Sequence, residues 1–177
     1  LALALAAPLP AAAQSVAVIG GGQAQECYQA VKRGMGSRMV VALCTQALTT
    51  EHLSRADRAA THVNRGVIAL RARDAEAAMT DFDAALRMSP GLGAAFLNRA
   101  AASLLVGRWM IADADATTAL NLGVEEAWAA HFNRGVARER LGDVRGAWQD
   151  FTRAAELAPA EPAPKAELAR FEVRAGS

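Results

Sequence analysis

Three times the chain writes nearly the same phrase: Asn64-Arg65-Gly66, Asn98-Arg99-Ala100 and Asn133-Arg134-Gly135, at spacings of 34 and then 35 residues. Sixteen residues beyond each Arg stands an Asp (Asp81, Asp115, Asp150). Thirteen beyond each Arg stands an Ala (Ala78, Ala112, Ala147), and a second Ala follows seven later (Ala85, Ala119, Ala154). A fixed period of about 20 to 50 residues marks a repeat array, in which each unit buries its apolar face only against its neighbours.

Each unit reads as two short helices with a break between them. Val63, Val67 and Leu70 recur at helical spacing, Arg73-Asp74 interrupts, and Ala78, Phe82, Ala85 and Leu86 resume the pattern. Ser89-Pro90-Gly91 then stops the second helix, because Pro lacks an amide donor and clashes with the preceding turn. The third unit breaks at Leu141-Gly142-Asp143 and ends at Ala158-Pro159. Two antiparallel helices approach closely only where no bulky side chain intervenes. Gly66, Ala78 and Ala85 supply that seam in the first unit and Gly135, Ala147 and Ala154 in the third, with Phe82 and Phe151 as the large knobs beside it.

The period, the small eighth residue, the paired Ala residues, the aromatic between them and the closing Pro resemble the tetratricopeptide repeat. The resemblance spans about residues 24–175 and implies an all-α fold: an α-solenoid of antiparallel helix pairs with a C-terminal capping helix. The units align as 59–92, 93–126 and 128–161, with Ala127 as a one-residue insertion. Residues 24–58 read as an irregular N-terminal helix pair and 162–175 as the capping helix, with Lys165, Glu167, Arg170, Glu172 and Arg174 on its outer side. Unit two departs from the pattern. It has Ala100 for the Gly, Ala116 for the aromatic and Gly123-Val124 for the closing Pro, which predicts a looser or kinked junction with unit three.

A length of 177 residues fits one domain, and 53% apolar residues with few aromatics suits Ala-rich helical stacking. The net charge of +1 gives no electrostatic case for nucleic acid. Residues 1–13 are apolar and uncharged, and Ala11-x-Ala13 before Gln14 fits a small-residue cleavage site, so this stretch reads as a secretory signal peptide whose start is missing. The competing reading, a transmembrane helix running on through Ile19, is opposed by Pro8, Pro10, Gln14-Ser15 and Gly20-Gly21-Gly22. Residues 14–23 are a linker, and the expected location is outside the cytoplasm, in a bacterial periplasm or secreted, with the membrane touched only through the signal peptide.

Export changes the meaning of Cys27 and Cys44, the only cysteines. Extending the repeat register backwards from Ala47 places them where Arg65 and Phe82 stand in unit one, on facing helices, so a disulfide is expected. Two buried free thiols and a redox switch are the rivals, but a C-x-x-C spacing is absent and no His or Lys adjoins either Cys. No metal site, cofactor or catalytic group is expected. His62 and His131 stand two units apart, His52 stands alone, and each reads as a packing or surface residue. Asp81 and Asp83 invite an acid/base reading, but Asp83 has no counterpart in the other units.

In tetratricopeptide superhelices the first helix of each unit lines the concave groove. Mapped here, the resemblance places Ala60, Val63, Asn64, Val67, then Ala94, Leu97, Asn98, Ala101, then Ala129, Phe132, Asn133, Val136 on that face. An amide both donates and accepts, so Asn64, Asn98 and Asn133 resemble an asparagine ladder that pairs with any peptide backbone. The alternative is that these Asn residues bond neighbouring units or water. Arg65 with Asp81, Arg99 with Asp115 and Arg134 with Asp150 read as within-unit ion pairs, against solvated Arg and capping Asp. The expected function is an exported, non-enzymatic scaffold that holds a protein or extended peptide in its groove, with no small-molecule substrate. The competing function is a structural subunit of an envelope complex that assembles through its outer surface or cap, where Trp109 and Trp128 are contact candidates. The Ala- and Arg-rich usage fits a GC-rich bacterial genome.

Overall fold

A computed structural model describes residues 14–19 and 21–171 of the chain. The expected signal peptide (1–13) and the end of the expected capping helix (172–175) lie outside those residues. The described part is a run of helices with no strand: α1 Gln23–Lys32, α2 Arg38–Thr50, α3 Arg55–Arg71, α4 Ala75–Met88, α5 Gly93–Leu105, α6 Trp109–Asn121, α7 Ala127–Leu141, α8 Val144–Leu157 and α9 Pro162–Arg170. Consecutive helices pack in pairs (α1 with α2, α3 with α4, α5 with α6, α7 with α8), and each pair stacks on the next.

Local chemistry sets the boundaries. The Ser54 hydroxyl accepts from the Asp57 amide, while Asp74 and Asp143 accept from Ala77 and Gly146, so three helix starts have a side-chain acceptor for an otherwise orphaned N–H. At the end of α7, Gly142 turns the chain at φ 88°, a left-handed conformation that glycine adopts without penalty. Pro162 opens α9 in the first turn, where its missing N–H costs nothing.

The seam of small residues acts as expected, and its geometry explains why unit two departs from the pattern. A Cβ placed on Gly66 would stand 2.5 Å from Cε1 of Phe82, and one on Gly135 would stand 2.9 Å from Cε1 of Phe151. Each phenyl ring therefore rests on glycine backbone. In unit two both positions are Ala (Ala100, Ala116) and both are fully buried. The aromatic and the Gly are absent together: with no ring at Ala116, nothing needs the space that a glycine leaves, and Ala100 can carry a methyl.

Unit zero, the pair α1–α2, is closed by the Cys27–Cys44 disulfide, with a Cα–Cα distance of 5.1 Å and both residues fully buried. Its N-terminus is held by Glu51 at the end of α2, whose carboxylate accepts from the backbone N–H groups of Gln23 and Ala24. Gly22, at φ 88°, lets that carboxylate approach, since a Cβ there would lie 2.6 Å from Glu51 Oε1.

At the other end, α9 closes the array by packing on α8. Phe171 packs against Phe151 at a centroid distance of 5.8 Å, and Arg170 reaches Glu139 of α7. One expectation for this helix is corrected: Glu167 is not on the outer side. It is buried and paired with Arg170, because the turn of α9 that carries Pro164 and Glu167 faces the array. The α6–α7 junction, where the closing Pro is missing, turns through Gly123 at φ 69°. It is bridged by Arg138 Nε to Asp113 at 2.9 Å and by Arg134 to Thr117.

Candidate functional site

Two polar systems recur from unit to unit. The first stands between the helices of each unit. Arg65 donates from Nε and Nη2 to both oxygens of Asp81 at 2.9 and 2.8 Å. Arg99 does the same to Asp115 at 2.7 and 2.8 Å, and Arg134 to Asp150 at 2.9 and 2.7 Å. All three carboxylates are buried and all three forks are bidentate, the geometry that a planar guanidinium satisfies and an ammonium does not.

The remaining nitrogen, Nη1, always points back to the preceding unit. It meets Thr45 Oγ1 at 3.0 Å from Arg65, Asp83 Oδ1 at 2.6 Å from Arg99, and Thr117 Oγ1 at 3.4 Å from Arg134. Thr45, Asp83 and Thr117 occupy one position of the repeat. Asp83 thus has counterparts after all, but they share an oxygen acceptor rather than a residue type. Each Arg ties its own second helix and the preceding unit's second helix to one point.

His62 and His131 complete the outer two networks. Their Nδ1 atoms lie 2.8 Å from Asp81 Oδ1 and Asp150 Oδ1. An ionised carboxylate only accepts, so Nδ1 carries the hydrogen in both. Burial works against ionisation of Asp81, and hydrogen bonds from His62 and Arg65 outweigh it, leaving the carboxyl below its ordinary pKa. Asp150 is held low in the same way, opposed by burial and favoured by His131, Arg134 and Arg138, the last donating from Nη1 at 2.9 Å. In unit two Phe96 stands at the His position and lies under the Arg99 guanidinium at 5.5 Å, while Asp83 adds a second carboxylate.

The second system lies along the first helices α3 and α5. Asn64 accepts from the Val16 backbone N–H at 2.8 Å and donates to the Val16 carbonyl at 2.8 Å. Asn98 makes the same pair with Gln14, accepting at 2.9 Å and donating at 2.7 Å. Asp57, on α3, accepts from the Ile19 N–H at 2.9 Å. The chain's own residues 14–19 therefore cross the first helices from α5 to α3 before entering α1. Val18 is buried against Ala24, Ala47 and Ala60, and Val16 packs beside it. Composition alone marks this stretch as linker; the residues described in it are held by side-chain amides.

The other expected groove residues lie deeper. Val63, Val67 and Ala101 belong to the apolar core around Phe82, and Leu97, Phe132 and Val136 to the core around Phe151. Asn133, equivalent to Asn64 and Asn98, is fully buried as well. Of the expected groove lining, Asn64 and Asn98 bond the 14–19 segment and Ala60 packs on it, and Val16 also rests on the core that contains Val63, Val67 and Ala101. The sequence does not single out the segment itself, Asp57, the two His–Asp contacts or the Thr45/Asp83/Thr117 acceptors. The register contains the last of these, but a search by residue type passes over a Thr–Asp–Thr position.

No protein-family model matches the sequence, and no curated protein matches it. Among solved structures the chain is similar to the Arabidopsis OM64 TPR domain, with 24% sequence identity, a TM-score of 0.64, and coverage of 67% of this chain and 98% of that one. It is also similar to a MamA double mutant (RS-1 ArsTM), with 17% identity, a TM-score of 0.70, and coverage of 87% of this chain and 85% of that one. The fold is that of the tetratricopeptide repeat, an all-α solenoid of helix pairs.

Proposed function

We propose that this chain is an exported scaffold that holds an extended peptide or protein segment in its concave groove. The observation that carries the reading is the double pairing of Asn64 and Asn98, each with the N–H and the C=O of a single residue of an extended chain. Such pairing recognises backbone and is indifferent to side chains, which is what a general peptide cradle requires. Export is supported by the Cys27–Cys44 disulfide, since such bonds persist in oxidising compartments, and by the apolar run that ends in Ala11-x-Ala13. Among the described residues no helix is long and apolar enough to cross a membrane.

The experiment is crosslinking and capture from intact envelope fractions with the parent chain and with Asn98→Ala. Net hydrogen-bond contributions of about 0.5–1.5 kcal/mol each translate into a few-fold to about tenfold loss of partner affinity per Asn, with helicity retained. Unchanged capture by the triple Asn64/Asn98/Asn133→Ala variant would remove the groove reading. Protein from the same fractions should have the mass left by cleavage after Ala13 and two cysteines that alkylate only after reduction; an unprocessed chain with free thiols rules out export.

A second reading rests on a different surface. Met110, Ile111 and Leu141 are exposed beside Trp109 in a shallow apolar depression. In that reading the chain assembles into an envelope complex through this outer patch. Retained capture by the Asn variants together with loss of capture by Met110→Glu selects it.

A further inference from the structure

The segment in the groove is unlike the rest of the protein. Residues 14–19 have no regular secondary structure, and Ala17 and Ile19 are exposed. Ile19, at 88% exposure, is the most exposed large apolar residue described. Among the described contacts, the segment is held by four hydrogen bonds to two Asn side chains, one to Asp57, the burial of Val18 beside small alanines, and a half-buried Val16 that touches both that cluster and the core around Phe82. A stretch with few apolar contacts and only side-chain partners opens at far lower free energy than the packed helices behind it.

Its register is also that of a ligand. Residues 14 and 16 meet Asn98 and Asn64, so one repeat unit is matched to a two-residue step of extended chain, about 6.6 Å. Alternate residues, Val16 and Val18, turn inward, while Ala17 and Ile19 turn out. The contacts that seat the backbone are generic, and the side-chain contact is the small β-branched Val18 seated among Ala24, Ala47 and Ala60.

We propose that residues 14–19 form a displaceable strap: a built-in peptide that occupies the groove until an extended peptide with small β-branched residues at alternate positions takes its place. This rests on the groove reading above and adds its regulation and the chemistry of its ligand. The strap is joined to α1 through Gly21 and Gly22; cleavage after Ala13 leaves its other end free, so it peels from α5 towards α1. Tethered this closely, it competes at an effective concentration of about millimolar. A free peptide of equal intrinsic strength therefore binds the strapped groove about tenfold or more weakly than the open one, for an intrinsic Kd of about 100 μM or tighter.

The probe is a synthetic, end-capped, fluorescent peptide with the sequence of residues 14–19, titrated against the full parent chain and against the full chain carrying Val16→Pro and Val18→Asp. The first change removes the N–H that Asn64 accepts, and the second puts a charge among Ala24, Ala47 and Ala60. The expected result is about tenfold or greater tightening in the double variant, reversed when Asn98→Ala is added. Equal affinity for the two chains overturns the strap while leaving the groove reading intact. Absence of binding to both at millimolar peptide also overturns it, because the groove then has no affinity for the sequence that fills it; capture of the envelope partner remains the separate measure of the groove. Should the double variant lose helicity, hydrogen exchange on the parent decides. The Val16 and Ile19 amides are expected to be protected and to lose protection as peptide is added; exchange at unfolded rates without peptide overturns the strap.

Discussion

Units one and three solve their packing one way, and unit two solves it another. In the outer units a phenyl ring lies on a glycine and a histidine reaches the buried aspartate. In unit two the ring and glycine become two alanines, and the histidine becomes Phe96, which lies under the arginine. At the position that sets Thr45 and Thr117 against the other two arginines, Arg99 meets a carboxylate, Asp83 of the unit before. What all three keep is the Asn, the Arg and the Asp. The difference separates what the array needs for geometry from what it needs for volume. The ring and its glycine change together, whereas the bidentate fork keeps the same two residue types in all three units.

The largest effect comes from breaking the fork. Arg134→Met leaves Asp150 buried at 2% exposure with its main counter-charge gone, and removing one partner of such a pair costs about 3–5 kcal/mol. His131 and Arg138 remain on the carboxylate, which places the loss toward the lower end. Arg134→Met with Asp150→Leu should cost less than the single change. Urea unfolding of both singles and the double gives the coupling directly, and strict additivity would mean that the two groups do not interact.

Acid makes a gentler version of the same cut. The folded-state pKa of Asp150, like that of Asp81, lies below its unfolded value of about 3.9, so the unfolded chain takes up the proton first as pH falls. The contribution of these carboxylates is complete above about pH 4 and is lost as pH drops through their folded values. Unfolding midpoints should therefore fall on acidification below about pH 4. Asp150→Asn should lower stability at neutral pH and flatten that acid limb. An acid limb as steep in the variant as in the parent would assign it to other groups.

Gly66→Ala comes next. The new methyl must displace the Phe82 ring, and overpacking of this kind costs about 1–3 kcal/mol against the gain in helix propensity. A thermal unfolding midpoint equal to the parent's would show that the ring moves freely, and the paired exchange in unit two would lose its explanation.

The two halves of the repeat are unequally legible in sequence. Side chains that recur by type at a fixed interval, such as Arg65/Arg99/Arg134 and Asp81/Asp115/Asp150, announce both the fold and their own pairing, because a repeat turns sequence spacing into spatial equivalence. The disulfide is legible for the same reason, once Ala47 anchors the register of unit zero. Contacts between a repeated position and something outside the repeat are not. Asn64 and Asn98 read as facing a partner, yet residues 14–19 carry only glycine-flanked apolar composition, which looks like any linker. His62 and His131 read only as packing or surface residues, because the position is Phe in unit two and nothing in the spacing ties them to the Asp. Glu167 reads as outward because one turn of an isolated cap has no second copy to set its phase.

The smallest effect probes unit two from its own side. Ala100→Gly restores the outer units' residue at a position where no ring needs the space, since Ala116 stands where Phe82 and Phe151 do. The helix loses its best former for its most flexible residue, about 1 kcal/mol, and a buried methyl leaves with it. The same residue that is required in units one and three is therefore a modest defect here. With Ala116→Phe present the sign should reverse: the introduced ring is overpacked against Ala100, and Ala100→Gly relieves it. Unfolding midpoints of the two singles and the double measure that coupling. If Ala100→Gly destabilises equally in the parent and in the Ala116→Phe background, the glycine and the ring are not partners, and their joint absence from unit two is a coincidence of sequence rather than a packing rule.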